Sequence, residues 1–360
     1  MQKVLVAGAG KIGSLIATLL ATSGDYEVTL LDSRNESFNS SREQAYRTTV
    51  MDVRDSQRLD SFLKKEQFQA LVSCLPFTFN IELAKLAKAN QLHYFDLTED
   101  TQVSATIATL ADNAKTAFVP QCGLAPGFIS IIASHLMQEM ASLESVALRV
   151  GALPKHSNNA LKYALTWSPE GLINEYANEC DALVNGKLSK VQPLEDLETV
   201  EIDGLHYEAF NTSGGLGTLA ATYEGKVHSL NYKTIRYPGH CEKMRFLMID
   251  LQLNQSRDVL KNILLNALPQ SAEDVVIIYV VVKGMQNQAL VEKNYMKKFY
   301  PKVIAGKTWS AIQMTTACSA CVIIDLVLQQ PALHKGLIKQ ESFELETFLQ
   351  NRFADIYREN

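Results

Sequence analysis

No stretch of this sequence stays apolar for the roughly 20 residues that a membrane span requires. The nearest, "CVIIDLVL" at 321–328, contains Asp325, so no membrane partner is expected. Neither sign of charge dominates: 34 Lys and Arg against 39 Asp and Glu leave a net charge of −5. That removes the basic face a nucleic-acid partner would need. Cysteine is sparse and scattered, at positions 74, 122, 180, 241, 318 and 321, a usage that suits reduced thiols in a cytoplasm and not a disulfide framework. Cys318 and Cys321 have C-x-x-C spacing, but no second pair accompanies them, so no metal site is expected. The start carries no charged region followed by a cleavage site, so no signal peptide is expected. Repeats and low-complexity segments are also missing.

What remains is an ordinary globular composition, 47% hydrophobic over 360 residues, enough for two to three domains. The first 120 residues alternate in period. "KVLVAGA", "EVTLLD", "RTTVMD", "QALVSCL", "LHYFDLT" and "AFVPQ" read as six short strands. "KIGSLIATLLATSG", "SQRLDSFLKKE" (56–66), "FNIELAKLAKAN" and "VSATIATLADNAKT" read as helices between them. Strand, helix and strand joined by short loops predict α/β architecture with a doubly wound parallel sheet. From about 145 to 305 the strands lengthen and the alternation ends, as in a second, α+β domain with a mixed sheet. The glycine and proline breaks at 214–215 and 238–239 mark loops there. The last 50 residues return to helix, including "ESFELETFLQNRFADIY". The expected divisions are 1–122, 123–306, and a C-terminal 307–360 that packs back on the first domain.

"GAGKIG" places Gly8, Gly10 and Gly13 in G-x-G-x-x-G spacing between a strand and a helix. That context makes the pattern a dinucleotide-binding turn of the Rossmann type. Gly8 allows the tight turn, Gly10 lets a diphosphate approach, and Gly13 lets helix pack on strand. The amides around Lys11 and Ile12 then face the phosphates. Asp32, about 20 residues on, is placed to bond a ribose diol, which favours NAD over NADP. Ser33 and Arg34 follow it, and an arginine there is able to receive a 2′-phosphate. Asp52 and Val53 are expected near the adenine, and Cys74, Leu75 and Pro76 near the nicotinamide ribose. Gly123 and Leu124, after the sixth strand, complete the cofactor set, because open α/β sheets bind ligands at strand carboxyl ends.

Together these segments resemble the saccharopine dehydrogenase family. "VLVAGAGKIG", "LVSCLPFTFN" (71–80), "YFDLTED" (94–100) and "QCGLAPGF" (121–128) resemble its dinucleotide-binding half. "YEAFNTSGGLGTLAATYEGKV" (207–227) and "LNYKTIRYPGH" (230–240) resemble its catalytic half, the lysine 6-dehydrogenase branch in particular. The resemblance runs over roughly residues 1–250. Members of the glutamate-forming type commonly read GLDPG where this chain has Ala125, which removes a carboxylate and leans toward lysine. The resemblance implies an NAD-dependent dehydrogenase of lysine degradation that oxidises the ε-carbon. Its partner is a small amino-acid substrate, and a homodimer or higher oligomer is expected. Saccharopine oxidation, a polyamine-type relative and a non-catalytic dinucleotide-binding protein are the competing readings.

Such chemistry needs an anchored carboxylate, a proton acceptor for an amine of pKa near ~10.4, and an activated water. Arg236 is expected to clamp the carboxylate, and His240 to transfer the proton, because imidazole titrates near neutrality. Asp96 and Glu99 are candidates to hold the α-amino group or act as base. Thr212 and Ser213 offer hydroxyls and amides to a carboxylate, Tyr163 and Trp167 wall an aliphatic stem, and Lys233 is a weaker substrate-binding candidate. Strand alternation puts Thr234 and Arg236 on one face and Lys233, Ile235 and Tyr237 on the other. The 232–240 ribbon and the dinucleotide crevice are expected to meet across one gap.

Overall fold

A computed structural model describes residues 1–38 and 45–358. In chain order the first stretch runs β1 (Gln2–Ala7), α1 (Lys11–Thr22), β2 (Tyr26–Asp32), β3 (Arg47–Val50), α2 (Ser56–Glu66), β4 (Ala70–Ser73), α3 (Asn80–Ala89), β5 (His93–Asp96), α4 (Thr101–Ala111) and β6 (Ala117–Val119). The middle stretch runs α5 (Phe128–Gln138), β7 (Ser142–Pro154), α6 (Pro169–Ala177), β8 (Cys180–Val184), β9 (Lys187–Val191), β10 (Glu198–Ile202), β11 (Leu205–Asn211), α7 (Leu219–Tyr223), β12 (Val227–Arg236), α8 (His240–Arg245), α9 (Arg257–Ala267), β13 (Asp274–Gln286), β14 (Ala289–Phe299), β15 (Lys302–Ile304) and β16 (Lys307–Trp309). The chain ends with α10 (Ala311–Gln329), β17 (Gly336–Leu337), α11 (Leu345–Gln350) and α12 (Asp355–Arg358). The fold divides into two units, Met1–Phe128 with Gln313–Asn360, and Ile129–Ile312.

The first unit is a parallel sheet in the order β17-β6-β5-β4-β1-β2-β3, the Rossmann-like sheet expected from the alternating pattern. Side chains define the helix starts: Asp55 accepts from the Arg58 amide, and Asp100 accepts from Gln102 and Val103, satisfying amides that lack intrahelical partners. The sheet has seven strands, one more than the sequence indicates. Two residues, Gly336 and Leu337, pair with Ala117 and Phe118 to make the seventh, too short a segment to show periodicity.

The C-terminal segment returns to this unit through specific bonds. Gln2 donates to the Leu328 carbonyl at 2.8 Å, and the Tyr26 hydroxyl donates to Asp325 at 2.6 Å. Asp325, fully buried, also accepts from Gln329, Asn351 and Arg352. By length and composition α10 is apolar enough to cross a bilayer, but 83% of its most apolar window is buried, as in the core helix of a folded unit. The segment 341–357, expected as one helix, breaks into a 3-10 turn and two short helices. Asn351 separates the two helices: its backbone is extended, its side-chain oxygen accepts from the Phe353 amide, and its amide group is held by Asp325. Local side-chain bonds of this kind compete with the helix ladder.

The second unit is a mixed sheet, β10-β11-β12-β7-β13-β14, with β8 and β9 joining at β12. β12 runs parallel to β7 and antiparallel to β11. Its register sets Arg236 opposite Glu208, Thr234 opposite Phe210, and Lys233 opposite Asn211. Successive residues therefore alternate between two faces, and residues 232–236 are buried on both. α6, which covers one face, begins where the Ser168 side chain accepts from the Gly171 amide and Pro169 takes the first helical position.

Candidate functional site

In the first unit the glycine turn has the shape its spacing implies. Gly8 has φ +106°, and a Cβ on it would lie 2.8 Å from the Cys74 carbonyl oxygen. A Cβ on Gly13 would lie 1.9 Å from the Gly8 carbonyl oxygen. At Gly10 a Cβ would meet no protein atom within 4 Å. Two glycines thus serve internal packing, and the third leaves open space at the start of α1, where a diphosphate fits. Lys11 is exposed and Ile12 half-buried on the first turn of that helix.

The Asp32 carboxylate closes β2 and accepts from the Ala9 amide and the Arg34 amide, both at 3.0 Å. The turn and the acidic strand end are therefore one bonded unit. Ser33 is exposed, and the Arg34 side chain is 77% exposed with its Nε 4.0 Å from Asp32. Asp52 is held by Arg54, whose Nε donates at 3.0 Å, and that bond keeps its carboxyl low, at about 2. Its charge is already matched by that arginine, and Val53 packs into the apolar core.

At the carboxyl ends of β4 to β6, Cys74 and Leu75 are half-buried and Pro76 is exposed, while Gly123 and Leu124 are buried. Burial pushes the Cys74 thiol to about 12. Asp96 is fully buried. One oxygen accepts from the Thr98 amide at 3.0 Å and the Gln121 amide at 3.1 Å. The other has no hydrogen-bond partner. Burial outweighs the two amide bonds and the weaker pull of the nearby Tyr94 hydroxyl and raises this carboxyl to about 6. Glu99, half-buried three residues on, is raised by desolvation to about 7. A carboxyl poised at that value suits proton transfer at neutral pH.

In the second unit Arg236 is 3% exposed. Its Nε donates to the Tyr176 hydroxyl at 2.9 Å, and its Nη1 donates to its neighbour's carbonyl, Ile235, at 2.8 Å. The rings of Tyr163 and Tyr176 lie 5.1 and 5.8 Å from the guanidinium carbon. Among the described residues no carboxylate forms an ion pair with it. The other two buried cations, Arg149 and Lys233, share Glu198. The buried Glu175 acts on it through space and favours its charge, but a guanidinium buried with no carboxylate bonded to it remains costly, and a visiting anion relieves that cost.

Several expectations require correction here. His240 is 1% exposed, and its Nδ1 lies 2.8 Å from the Leu161 carbonyl oxygen. A carbonyl only accepts, so Nδ1 carries the proton, and Nε2 accepts from the Tyr176 hydroxyl at 3.1 Å. Burial, and then the charge of Arg236, lower this imidazole to about 3. It is neutral across the working range and has both nitrogens engaged, which removes the basis for a proton-transfer role. Lys233 is 3% exposed and is bonded by Asp196 at 2.8 Å and Glu198 at 2.9 Å; its ammonium is matched within the protein, on the face away from Arg236. Ser213 donates its hydroxyl to the Glu179 carbonyl and its amide to the Glu175 carbonyl, so neither is open to a carboxylate. Thr212, by contrast, is 2% exposed with a hydroxyl that lacks a partner. Tyr163 stacks on Arg236 and accepts from the Trp167 indole at 3.0 Å. Their roles are to brace the guanidinium.

Tyr176 and Thr166 lie in no motif, and Glu208, inside the stretch 207–227, carries no expected role of its own. Tyr176 lies in the last turn of α6, in "INEYANE", with nothing to set it apart from core packing. Thr166 resembles Thr212 in being 2% exposed with an unpartnered hydroxyl. The signal for Glu208 was an acid inside a buried strand, which requires partners.

Comparison with known proteins agrees with this architecture. Residues 4–119 match the family described as "Saccharopine dehydrogenase NADP binding domain", and residues 123–355 match "Saccharopine dehydrogenase C-terminal domain". The alpha-aminoadipic semialdehyde synthase, mitochondrial, of Rattus norvegicus is 23% identical over 261 residues, 68% of this chain and 27% of that protein. The saccharopine dehydrogenase [NADP(+), L-glutamate-forming] of Schizosaccharomyces pombe is 22% identical over 210 residues, 56% of this chain and 46% of that protein. The chain thus spans less than half the length of these curated relatives. The apo saccharopine dehydrogenase (L-Glu forming) of Saccharomyces cerevisiae superposes with a TM-score of 0.78 at 16% identity, covering 97% of this chain and 95% of that one, which establishes a common fold. With both of its domains matched end to end, the chain belongs to the saccharopine dehydrogenase family.

Proposed function

We propose that the chain is a nicotinamide-dinucleotide dehydrogenase that oxidises the ε-carbon of L-lysine, giving 2-aminoadipate 6-semialdehyde and ammonia. The observation that carries this reading is Arg236: a buried guanidinium to which no carboxylate among the described residues is bonded. Among the described residues it is the buried Lys or Arg that forms no ion pair, and one such cation suits a substrate with one carboxylate. Saccharopine carries three. Ala125, where glutamate-forming members commonly have aspartate, supports the same choice.

The glycine turn, Asp32 and the strand ends at Cys74–Pro76 are the residues that fit a dinucleotide. When bound, its nicotinamide ring supplies the hydride acceptor. Asp32 favours NAD, because a carboxylate repels a 2′-phosphate. Arg236 anchors the substrate carboxylate by its remaining N–H donors. The ε-ammonium first gives up a proton, and Glu99, poised at about 7, takes it. Hydride leaves Cε, the amine becomes an iminium, and water adds to that carbon; loss of ammonia completes the balance. Asp96, at about 6, is the second acceptor for the proton released by the adding water. The six unpaired cysteines support a cytoplasmic setting, and the resemblance to the family supports a homo-oligomer.

Purified protein assayed with L-lysine or saccharopine, each with NAD or NADP, tests the reading. Ammonia released in step with NADH from lysine is the expected result. Glutamate released from saccharopine, with lysine inert, overturns it in favour of the glutamate-forming reaction, which the similarity to the fungal enzymes supports. Dinucleotide binding without turnover of either amine favours a non-catalytic binding protein.

A further inference from the structure

We propose that His240 is the positioning residue of the carboxylate clamp, and that it acts on Arg236 through the hydroxyl of Tyr176. This rests on the reading of Arg236 given above and adds the device that orients it. The bonds form one directed line. Arg236 Nε donates to Tyr176, Tyr176 donates to His240 Nε2, and His240 Nδ1 donates to the Leu161 carbonyl. A phenol whose proton is committed to His240 presents only its lone pairs to Arg236, so the Nε edge of the guanidinium is fixed. The Ile235 carbonyl fixes one Nη1 hydrogen. Two of the five donors are thereby used, and the Nη2 side is left for a ligand.

The far end of the line holds the other wall of the site. Leu161 belongs to an irregular segment, 155–168, that also carries Tyr163 and Thr166. Tyr163 stacks on the guanidinium, and its ring lies 5.2 Å from His240. Asn159 accepts from the Tyr163 amide and donates to its carbonyl, and Lys162 donates to Pro238 in the turn that leads into His240. One imidazole therefore sets both the edge and the stacking face of Arg236. Such a role needs a neutral ring with one donor and one acceptor, which is the state its surroundings impose.

The test uses the full chain and four variants: Tyr176→Phe, His240→Gln, His240→Ala and, for assignment, Arg236→Lys. Arginine Nε–H resonances in a 15N-labelled sample give a readout that needs no substrate. One slowly exchanging Nε–H, absent from the Arg236→Lys variant, should persist in His240→Gln, whose amide oxygen replaces the ring acceptor. It should exchange at least tenfold faster in His240→Ala and Tyr176→Phe. With L-lysine, KM should rise about 10- to 100-fold in the latter two, the range expected for a lost bond in a charged network, with kcat changed less than about threefold. His240→Gln should recover most of that loss.

An unchanged Arg236 resonance in both Tyr176→Phe and His240→Ala overturns the proposal. So does a fall in kcat at constant KM, which would put His240 at the reacting atoms. If the wild-type chain leaves lysine untouched, the substrate reading fails by itself, and the exchange measurement still decides the role of His240. Tyr176→Phe changes a single oxygen and retains the ring, so a folding defect in His240→Ala does not remove the test.

Discussion

Glu208 and Arg236 stand directly opposite one another on β11 and β12, on the same face of the sheet, and do not form an ion pair. The Glu208 carboxylate is turned instead to the amides of Gly239 at 2.7 Å and Cys241 at 2.6 Å. It thereby holds the turn that starts α8, where amides lack intrahelical partners. The acid directly across the sheet from Arg236 is occupied with the backbone, and the guanidinium is left without a bonded carboxylate. Glu208→Gln keeps one acceptor but sets an amide group against the other N–H. It should lower stability by about 1–3 kcal/mol, seen as a reduced urea midpoint at unchanged m-value. A change below a few tenths would show that the turn does not need this acid.

A buried charge with no ion pair weighs against folding even where a nearby acid such as Glu175 favours it. Arg236→Met should therefore abolish lysine oxidation and yet raise stability by about 1 kcal/mol, the trade-off seen where a site is kept for function. NAD affinity should stay within about twofold. A variant clearly less stable than the parent in urea would show that the guanidinium serves the fold itself.

Gly10 and Gly13 should separate binding from folding. Gly10→Ala places a methyl where no protein atom lies within 4 Å, so its unfolding midpoint should match that of the parent while NADH affinity falls at least tenfold by fluorescence titration. Gly13→Ala forces a methyl to within 1.9 Å of the Gly8 carbonyl and should lower stability by more than about 2 kcal/mol. Equal affinity in Gly10→Ala and the parent would remove the diphosphate from this turn.

Two pH dependences follow from the raised and lowered groups. With Glu99 near 7 and Asp96 near 6, log kcat/KM for lysine should climb with unit slope between about pH 6 and 7 and more steeply below, and the pH 6 to 7 part should vanish in the residual activity of Glu99→Gln. For His240 the sign is opposite to that of a paired imidazole. Its native value of about 3 lies below the unfolded value near ~6.5, so between these values the unfolded chain holds one more proton. Stability should rise with pH through that window and be lost as pH falls through it, at about 1.4 kcal/mol per pH unit for this one group. His240→Gln should be less steep than the parent by that amount in urea melts at pH 4 to 6; parallel curves would show that the ring is charged in the native state.

Much of the first unit is written in local pattern. α2 has the boundaries its periodicity indicates, Ser56–Glu66, and the strand-turn-helix at Gly8–Gly13 follows from spacing, because those glycines meet constraints within a few residues. The second unit was less legible. Lys233 reads as a weaker substrate-binding candidate, because nothing nearby in sequence announces that Asp196 and Glu198 reach it from another loop and strand. His240, four residues past Arg236, suggests a proton-transfer group beside a carboxylate clamp. Only the tertiary placement of Leu161 and Tyr176 shows that both imidazole nitrogens are occupied. Residue type revealed which groups are chemically able; burial and partners decided which of them remain available.

The nucleotide-binding unit is discontinuous: its first 128 residues are completed by residues 313–360, with Asp325 of α10 bonded to Tyr26 and Gln2 bonded to Leu328. A ribosome making this chain therefore releases the Rossmann sheet long before the helix and edge strand that finish it. The intervening unit, continuous in sequence, is the first able to reach its mature form. The usual order in which the leading domain folds first is inverted here, and the glycine turn waits, with part of its apolar surface uncovered, for the tail of the chain to emerge.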